Sequence, residues 1–402
     1  MSLYGTSILC KMNCDIKHIT QFTFNNCTWS DNKGTVGAGL ATMLDNQNEV
    51  QIGPKMPFSM SFKDCSFLRN QVIKSDKGAM IGEGAIYSDQ VPLIFRRKTS
   101  FISNKGTALS LDGSTIEICD HVEFINNTGY RGGAVAMCGQ SRMIFQKNSK
   151  LLFKGNSCES KGGALFILAA GSPLVVFNAT GVDTHECFFG YEDEKIDFKD
   201  WKTSVIFQGN RAIDDDKGNS VYATTLTNCR RPGESRRNNT VLRWDFIQFK
   251  TLDGNFTTRE HEVATDVIDI SYEKTNWEVA PGEVFKATVK LIDEIGNSVN
   301  GIIDVNIVSS ENSVKLNSSS PLFLTADGQI SHLRLAGKPG SLFSVGLRYV
   351  GRELVVGTIT DISLQNCHAG FVSDGARCVC MDSTDDGVVA DGVERCESDG
   401  KT

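Results

Sequence analysis

The sequence predicts an all-β protein: a right-handed parallel β-helix, then an antiparallel β-sandwich, then a short cysteine-rich tail. Three observations predict it. A phrase made of an aromatic, two variable residues and an asparagine returns six times in the first half of the 402-residue chain. Most returns are followed by a cluster of small residues that ends in an aliphatic. From about residue 262 the phrase is gone, and strict alternation of apolar and polar residues replaces it.

The phrase pairs Trp29 with Asn32, Phe67 with Asn70, Phe101 with Asn104, Phe124 with Asn127, Phe153 with Asn156 and Phe207 with Asn210. Its aromatics step by 38, 34, 23, 29 and 54 residues. A recurring phrase marks one supersecondary unit stacked on copies of itself. Helical repeats hold a nearly fixed length; here the connections vary, as when short strands stack and loops bulge outward. Between the phrases, Ser114 to Cys119 alternates at period two, and no helical stripe is sustained over the first 250 residues.

Each element of the phrase has a physical role in such a stack. The aromatic is expected to point inward and lie on its counterpart about 4.8 Å away. The asparagine is expected at the corner, where it tolerates left-handed backbone and bonds its amide up and down the stack. Complete small-residue tails occur at Gly132-Gly133-Ala134-Val135 and Gly162-Gly163-Ala164-Leu165. They let the chain turn tightly and re-enter a narrow interior. Gly84-Ala-Ile86 is close to this pattern, Gly37-Ala-Gly-Leu40 is scrambled, and Gly106-Thr-Ala-Leu109 and Gly218-Asn-Ser-Val221 are degenerate. No coil buries its own inner face, so stacking must supply the core.

This repeat resembles that of the chlamydial polymorphic outer-membrane proteins, whose coils carry F-x-x-N and G-G-A-[I/L/V]. The resemblance spans about residues 1–250. It implies a right-handed, pectin-lyase-like β-helix and an adhesive role at a surface. That role is tied to the architecture and not to a defined set of residues.

Beyond residue 262, Phe285, Ala287, Val289 and Leu291 fall on one face, as do Ile303, Val305 and Ile307, and Phe343, Val345, Leu347 and Tyr349. Turn signals separate them at Pro281-Gly282, Asp293 to Asn297, Asp327-Gly328 and Lys338-Pro-Gly340. Short strands at that spacing predict a sandwich over 262–362. Its Pro-Gly-Glu entry followed by Asp-Glu-x-Gly-Asn resembles immunoglobulin-like modules of bacterial surface proteins and filamin-type repeats, without a Cys–Trp–Cys core. Residues 363–402 carry Cys367, Cys378, Cys380 and Cys396, and resemble part of an EGF-like module with four cysteines in place of six. So short a segment depends on disulfides.

Thirteen cysteines without a C-x-x-C motif point to an oxidising, extracellular or cell-surface setting. Sequons at Asn26, Asn126, Asn178, Asn238, Asn255 and Asn317 agree. Cys187 and Cys229 flank the last clear coil, and a disulfide between them would clasp it. Cys119 and Cys138 are a second candidate pair, against a reading as two small buried hydrophobes. The odd count leaves at least one free or intermolecular thiol. Residues Met1 to Cys10 lack the basic and apolar regions of a signal peptide, so the chain is expected to be a fragment. Its most apolar stretch, Ala164 to Phe177, is too short to span a membrane and is interrupted by Gly171-Ser-Pro173; two buried strands joined by a turn fit it better. A net charge of −7 without a basic stripe argues against nucleic acid. The basic patches Arg96-Arg-Lys98 and Arg230 to Arg237 are expected to be solvated loops.

No arrangement specifies chemistry. Asp214-Asp-Asp216 would alternate faces in a strand and falls where a corner loop belongs. Asp183-Thr-His-Glu-Cys187 is too contiguous to chelate one ion, and Asp382 to Gly387 mimics a calcium loop whose twelfth position is Val393 in place of a bidentate glutamate. No catalytic residue, metal site or cofactor is expected. The expected function is a non-catalytic extracellular adhesion or ligand-display module, with a protein or glycan ligand on another surface. The alternatives are a carbohydrate-active β-helix enzyme, which would need converging carboxylates, or its degenerate descendant, and a purely structural matrix element.

Overall fold

The structure is a computed structural model. It describes residues 8–13, 20–45, 58–73, 84–168, 187–191, 202–213, 217–226, 229, 246–258, 261–273, 278–308, 314–316, 321–351, 355–368, 371–373 and 378–380. The chain divides into two compact units, Met1–Asp266 and Val267–Thr402.

Three parallel sheets build the first unit. The first has eight strands, from Ile8–Asn13 through Leu109–Asp112 and Val135–Cys138 to Val263–Thr265. The second has six, from Thr20–Asn25 to Phe189–Tyr191. The third has seven, from Thr28–Ser30 to Ile247–Lys250. The chain visits them in rotation: Leu109–Asp112, then Thr115–Ile118, then His121–Ile125, then the next coil begins at Val135. This is the coil stack of a parallel β-helix. It runs to Thr265, past the 250 expected, because strands 247–250 and 263–265 still pair in register with the coil before them. Phe189–Tyr191 is a further rung of the second sheet; Phe189 is buried against Phe145 and Phe246.

Register decides the core. Parallel neighbours put like positions side by side, so every inward column must repeat in kind. Leu40, Ile86, Leu109, Val135, Leu165, Val221 and Val263 form one such column. The phrase aromatics form another: Trp29, Phe67, Phe101, Phe124, Phe153 and Phe207 stack nearly parallel with centroids 4.6–5.1 Å apart. A seventh ring, Phe249, continues the pile at 5.4 Å, although no asparagine follows it. Phe67, Phe101, Phe124, Phe153 and Phe207 are buried to within 1% of complete exclusion from solvent, so each contributes about 1.5–3 kcal/mol relative to exposure.

The asparagines form a ladder beside that pile. The backbone N and Nδ2 of each one donate to Oδ1 of the next. The Nδ2 bonds measure 2.8–3.0 Å from Asn32 to Asn70, Asn70 to Asn104, Asn104 to Asn127, Asn127 to Asn156 and Asn156 to Asn210. The backbone donations run alongside. From Asn70 onward, Nδ2 also donates to the carbonyl of the phrase aromatic one coil back, for example Asn127 to Phe101 at 2.9 Å. The interior amides thus use two donors and an oxygen that accepts twice, which meets the rule that buried polar groups are paired.

The expectation that these asparagines take the left-handed conformation is corrected. The residue before each one does: Asp31, Arg69, Ser103, Asn126, Gly155 and Gly209 have φ between 51° and 62°. The ladder position is selected for its amide and the preceding position for its backbone.

The tails are more regular than they look in sequence. Three residues before the aliphatic, Gly37, Gly106, Gly132, Gly162 and Gly218 all have positive φ. A Cβ on Gly132 would stand 2.1 Å from the Val135 carbonyl oxygen, and one on Gly162 would stand 2.2 Å from that of Leu165. Gly133 and Gly163 are needed for a different reason, since Cβ atoms there would meet neighbouring coils at 2.3 Å (Ser157 O) and 2.1 Å (Asn219 O). Of the apolar stretch 164–177, Leu165–Ile167 is a buried strand, and 169–177 lie outside the described residues.

In the second unit two sheets share one core that includes Val289, Leu291, Ile303, Val305, Val345 and Leu347. One is antiparallel around Val284–Asp293; the other is antiparallel around Leu342–Tyr349, with a parallel edge strand at Glu278–Val279. The predicted turns are present, with Gly282, Gly296, Gly328 and Gly340 at positive φ. Asp293 Oδ1 holds its turn by accepting from the backbone of Ile295 and Asn297. Strand Val356–Leu364 passes the predicted end at 362. Cys378–Cys380 pairs antiparallel with Phe371–Ser373.

Phe124→Ala is expected to destabilise the first unit by about 3–5 kcal/mol, read from denaturant unfolding. Asn127→Asp removes both side-chain donations and buries a charge, and is expected to cost about 3 kcal/mol or more at neutral pH. The variant carboxyl, with its pKa raised by burial, should regain stability as pH falls below that value; melting across acid pH checks the sign.

Candidate functional site

The repeated residues are consumed by the fold. Phe67, Phe101, Phe124, Phe153 and Phe207 are interior, Asn70, Asn104, Asn127, Asn156 and Asn210 are buried, and Gly132, Gly133, Gly162 and Gly163 are fixed by backbone geometry. Trp29 is 7% exposed and Asn32 half-buried at the first described rung of the third sheet. Any binding surface must therefore come from outward positions and corners.

The densest side-chain constellation outside the coil interior lies on the outer face of the first sheet, where Phe166, Tyr222 and Ala264 are themselves covered and form a second buried cluster. The residue after each inward aliphatic faces out, giving Tyr87, Ser110, Ala136, Phe166, Tyr222 and Ala264 in register. Phe166 and Tyr222 lie parallel at 5.9 Å. Lys161 Nζ stands 4.2 Å from the Tyr222 ring centroid, donates to Tyr222 Oη at 2.5 Å and pairs with Asp266 at 3.5 Å. Tyr222 Oη in turn donates to Asp266 Oδ1. Arg131 lies over both Tyr130 and Phe166. Burial lowers the Lys161 pKa, Asp266 opposes that shift, and Lys217 and Arg131 add to it. Sequence reading missed this group. The available signal was positional: a cation just before the first tail glycine and an aromatic just after the aliphatic.

A second cluster sits where the first sheet ends. Asp89 and Asp112 are in register, and Cys138 follows Asp112 on the next coil. Burial and then the Asp112 charge raise the Asp89 pKa. Burial and Asp112 push the Cys138 thiol up to about 12, and burial and Glu117 do the same to Cys119. Such thiols are poor nucleophiles. The candidate Cys119–Cys138 disulfide is corrected: both are unpaired. Cys138 belongs to the first sheet, whereas Cys119 follows the second-sheet strand Thr115–Ile118, so register does not bring them together.

Cys187 and Cys229 are joined, as are Cys367 and Cys378. Cys187 is thereby removed from the Asp183–Cys187 group, whose other members lie outside the described residues. Cys380 is in a strand, and Cys396 lies outside the described residues. Sequon residues Asn26, Asn126 and Asn255 are exposed; Asn178, Asn238 and Asn317 lie outside the described residues. The basic patch at 96–98 is partly answered by acids: Arg97 bonds Asp64 at 3.2 Å and Lys98 bonds Glu123 at 3.1 Å. Residues 214–216, 230–237 and 382–393 lie outside the described residues. Among the described residues no three of His, Cys, Asp and Glu are grouped to hold a metal ion, and no helix is long and apolar enough to cross a membrane.

Asp89 carries a raised pKa, so the folded protein holds its proton more tightly and loses stability as pH rises through that value. Asp89→Asn is expected to raise the melting temperature at neutral pH, with the advantage vanishing in acid; paired melts across pH check this.

The comparisons with known proteins fall on the same repeat. The family model for the Chlamydia polymorphic membrane protein (Chlamydia_PMP) repeat matches residues 150–167, which run from the Phe153–Asn156 phrase through the Gly162-Gly163-Ala164-Leu165 tail. No curated protein and no solved structure matches the chain. Over those residues the chain is similar to a polymorphic membrane protein repeat.

Proposed function

We propose that the chain is a non-catalytic adhesion or ligand-display module of an extracellular or cell-surface protein. Its parts are a right-handed, pectin-lyase-like β-helix, an immunoglobulin-like sandwich and an EGF-like cysteine segment. One observation carries the reading: the recurring residues are spent on the interior ladder and pile, which leaves outward positions and connections to vary without loss of fold. A rigid stack with a variable exterior suits display better than a single catalytic constellation. The match to a polymorphic membrane protein repeat supports a surface-exposed, adhesin-type region. Two disulfides and three exposed sequon asparagines support an oxidising compartment. The ligand is a protein or glycan on another surface.

The test is binding of the purified chain to intact cells and to arrayed glycans, alongside a reducing-end assay on uronate polymers. Saturable binding without release of reducing ends is expected. Sustained turnover of any polymer would overturn the reading in favour of an enzyme.

A further inference from the structure

Five described cysteines are unpaired: Cys27, Cys65, Cys119, Cys138 and Cys158. Two of them occupy the same place on successive coils. Asn25 pairs in register with Lys63 before them, and Thr28 with Ser66 after them. Asn26 and Asp64 turn the same corner with φ of 51° and 53°. The Ser66 N–H donates to the Cys27 carbonyl at 2.9 Å. Even the thiols are oriented alike: Cys27 Sγ donates to the Asn25 carbonyl at 3.3 Å, and Cys65 Sγ to the Lys63 carbonyl at 3.4 Å, each two residues back. In-register parallel neighbours stand about 4.8 Å apart, within the Cα separation a disulfide accepts. The chain already contains a bridge at that spacing, since the Cα atoms of Cys187 and Cys229 are 4.6 Å apart.

We propose that Cys27 and Cys65 form a third disulfide, a covalent clasp between the first two described rungs of the third sheet. The inference rests on the extracellular reading for its oxidising compartment. The oxidant is a small disulfide such as oxidised glutathione. Cys27, half-buried at the edge rung, is the thiol it reaches; Cys65 is fully buried. The Cys27 thiolate attacks one glutathione sulfur, a mixed disulfide forms, and one glutathione thiolate leaves. Cys65 gives up its proton and attacks Cys27 Sγ, expelling the second glutathione. Two protein thiols are oxidised and one glutathione disulfide is reduced to two thiols. Burial and the neighbouring Cys27 thiol hold the Cys65 thiol above its ordinary pKa, so the second step is the slow one. The bond requires Cys27 Sγ to leave the Asn25 carbonyl and Cys65 Sγ to leave the carbonyls of Lys63 and Phe24. It closes a loop comparable to that of the Cys187–Cys229 bridge, whose partners are 42 residues apart. The column continues through Thr99, whose buried Oγ1 has no hydrogen-bond partner among the described residues.

The experiment oxidises the full chain in a glutathione buffer, alkylates remaining thiols and maps linked peptides by mass spectrometry. A Cys27–Cys65 peptide is expected, with the first unit melting roughly 5 °C or more above the reduced form at fixed Cys187–Cys229 status. Cys27→Ser should abolish that shift and leave Cys65 alkylated; it also preserves the Asn26 sequon, so glycosylation does not confound it. Cys65→Ala, at the buried partner, should leave Cys27 alkylated. If Cys187–Cys229 links while Cys27 and Cys65 are both recovered alkylated, the clasp is refuted and the pair are two small core residues, with the extracellular reading intact. If neither pair links, both readings fail.

Discussion

Everything in the first unit depends on in-register parallel pairing of each coil with the next. That pairing places chemically equivalent side chains about 4.8 Å apart. A ring must then meet a ring, an aliphatic an aliphatic and an amide an amide. The aromatic pile from Trp29 to Phe249 and the aliphatic column from Leu40 to Val263 follow from this single constraint. So does the tolerance for connections of very different length, because the constraint acts on rungs and not on the chain between them.

The asparagine ladder shows how such a stack keeps polar groups inside. An amide offers two donors and an oxygen with two lone pairs. Placed once per coil, it satisfies itself, its neighbours and one carbonyl of the aromatic strand. A hydroxyl has too few donors for this, and a carboxylate has none. The ladder stops where Leu252 occupies the next equivalent position, and there Gln208 Nε2 donates to the Leu252 carbonyl. A smaller polar column at another corner, through Thr42, Ser88, Ser114 and Ser141, works on the same logic with hydroxyls and backbone groups.

The exterior is released from that discipline. Neighbours on the outer face of a sheet still stack but differ in kind, as Ser110, Ala136, Phe166 and Tyr222 do along one column, even where neighbouring groups cover them. Charged outer residues pair across coils at ordinary surface strength, as Asp31 and Arg69 do at 2.7 Å while both remain more than half exposed; such pairs are worth little to stability. An exterior built this way can be rewritten residue by residue. The same freedom explains why the outer constellation around Lys161, Tyr222 and Asp266 could not be found from the phrase: its members are 44 to 105 residues apart, and only coil stacking brings them together.

By itself the sequence determined the all-β class, the rung-forming residues, the inward aromatics, and the strand faces and turns of the second unit; it offered Cys187–Cys229 as a candidate pair, which the structure joins. These are local patterns, or patterns repeated so often that periodicity reveals them. Tertiary structure decided what periodicity cannot encode. It assigned left-handed backbone to the residue before each asparagine, because the corner's turn and the ladder's amide fall on adjacent residues. It made Phe249 a rung although its phrase lacks the asparagine, because burial selects the ring alone. It separated Cys119 from Cys138 and aligned Cys27 with Cys65, since lateral neighbours are set by register between coils, and register is a property of the stacked coils together.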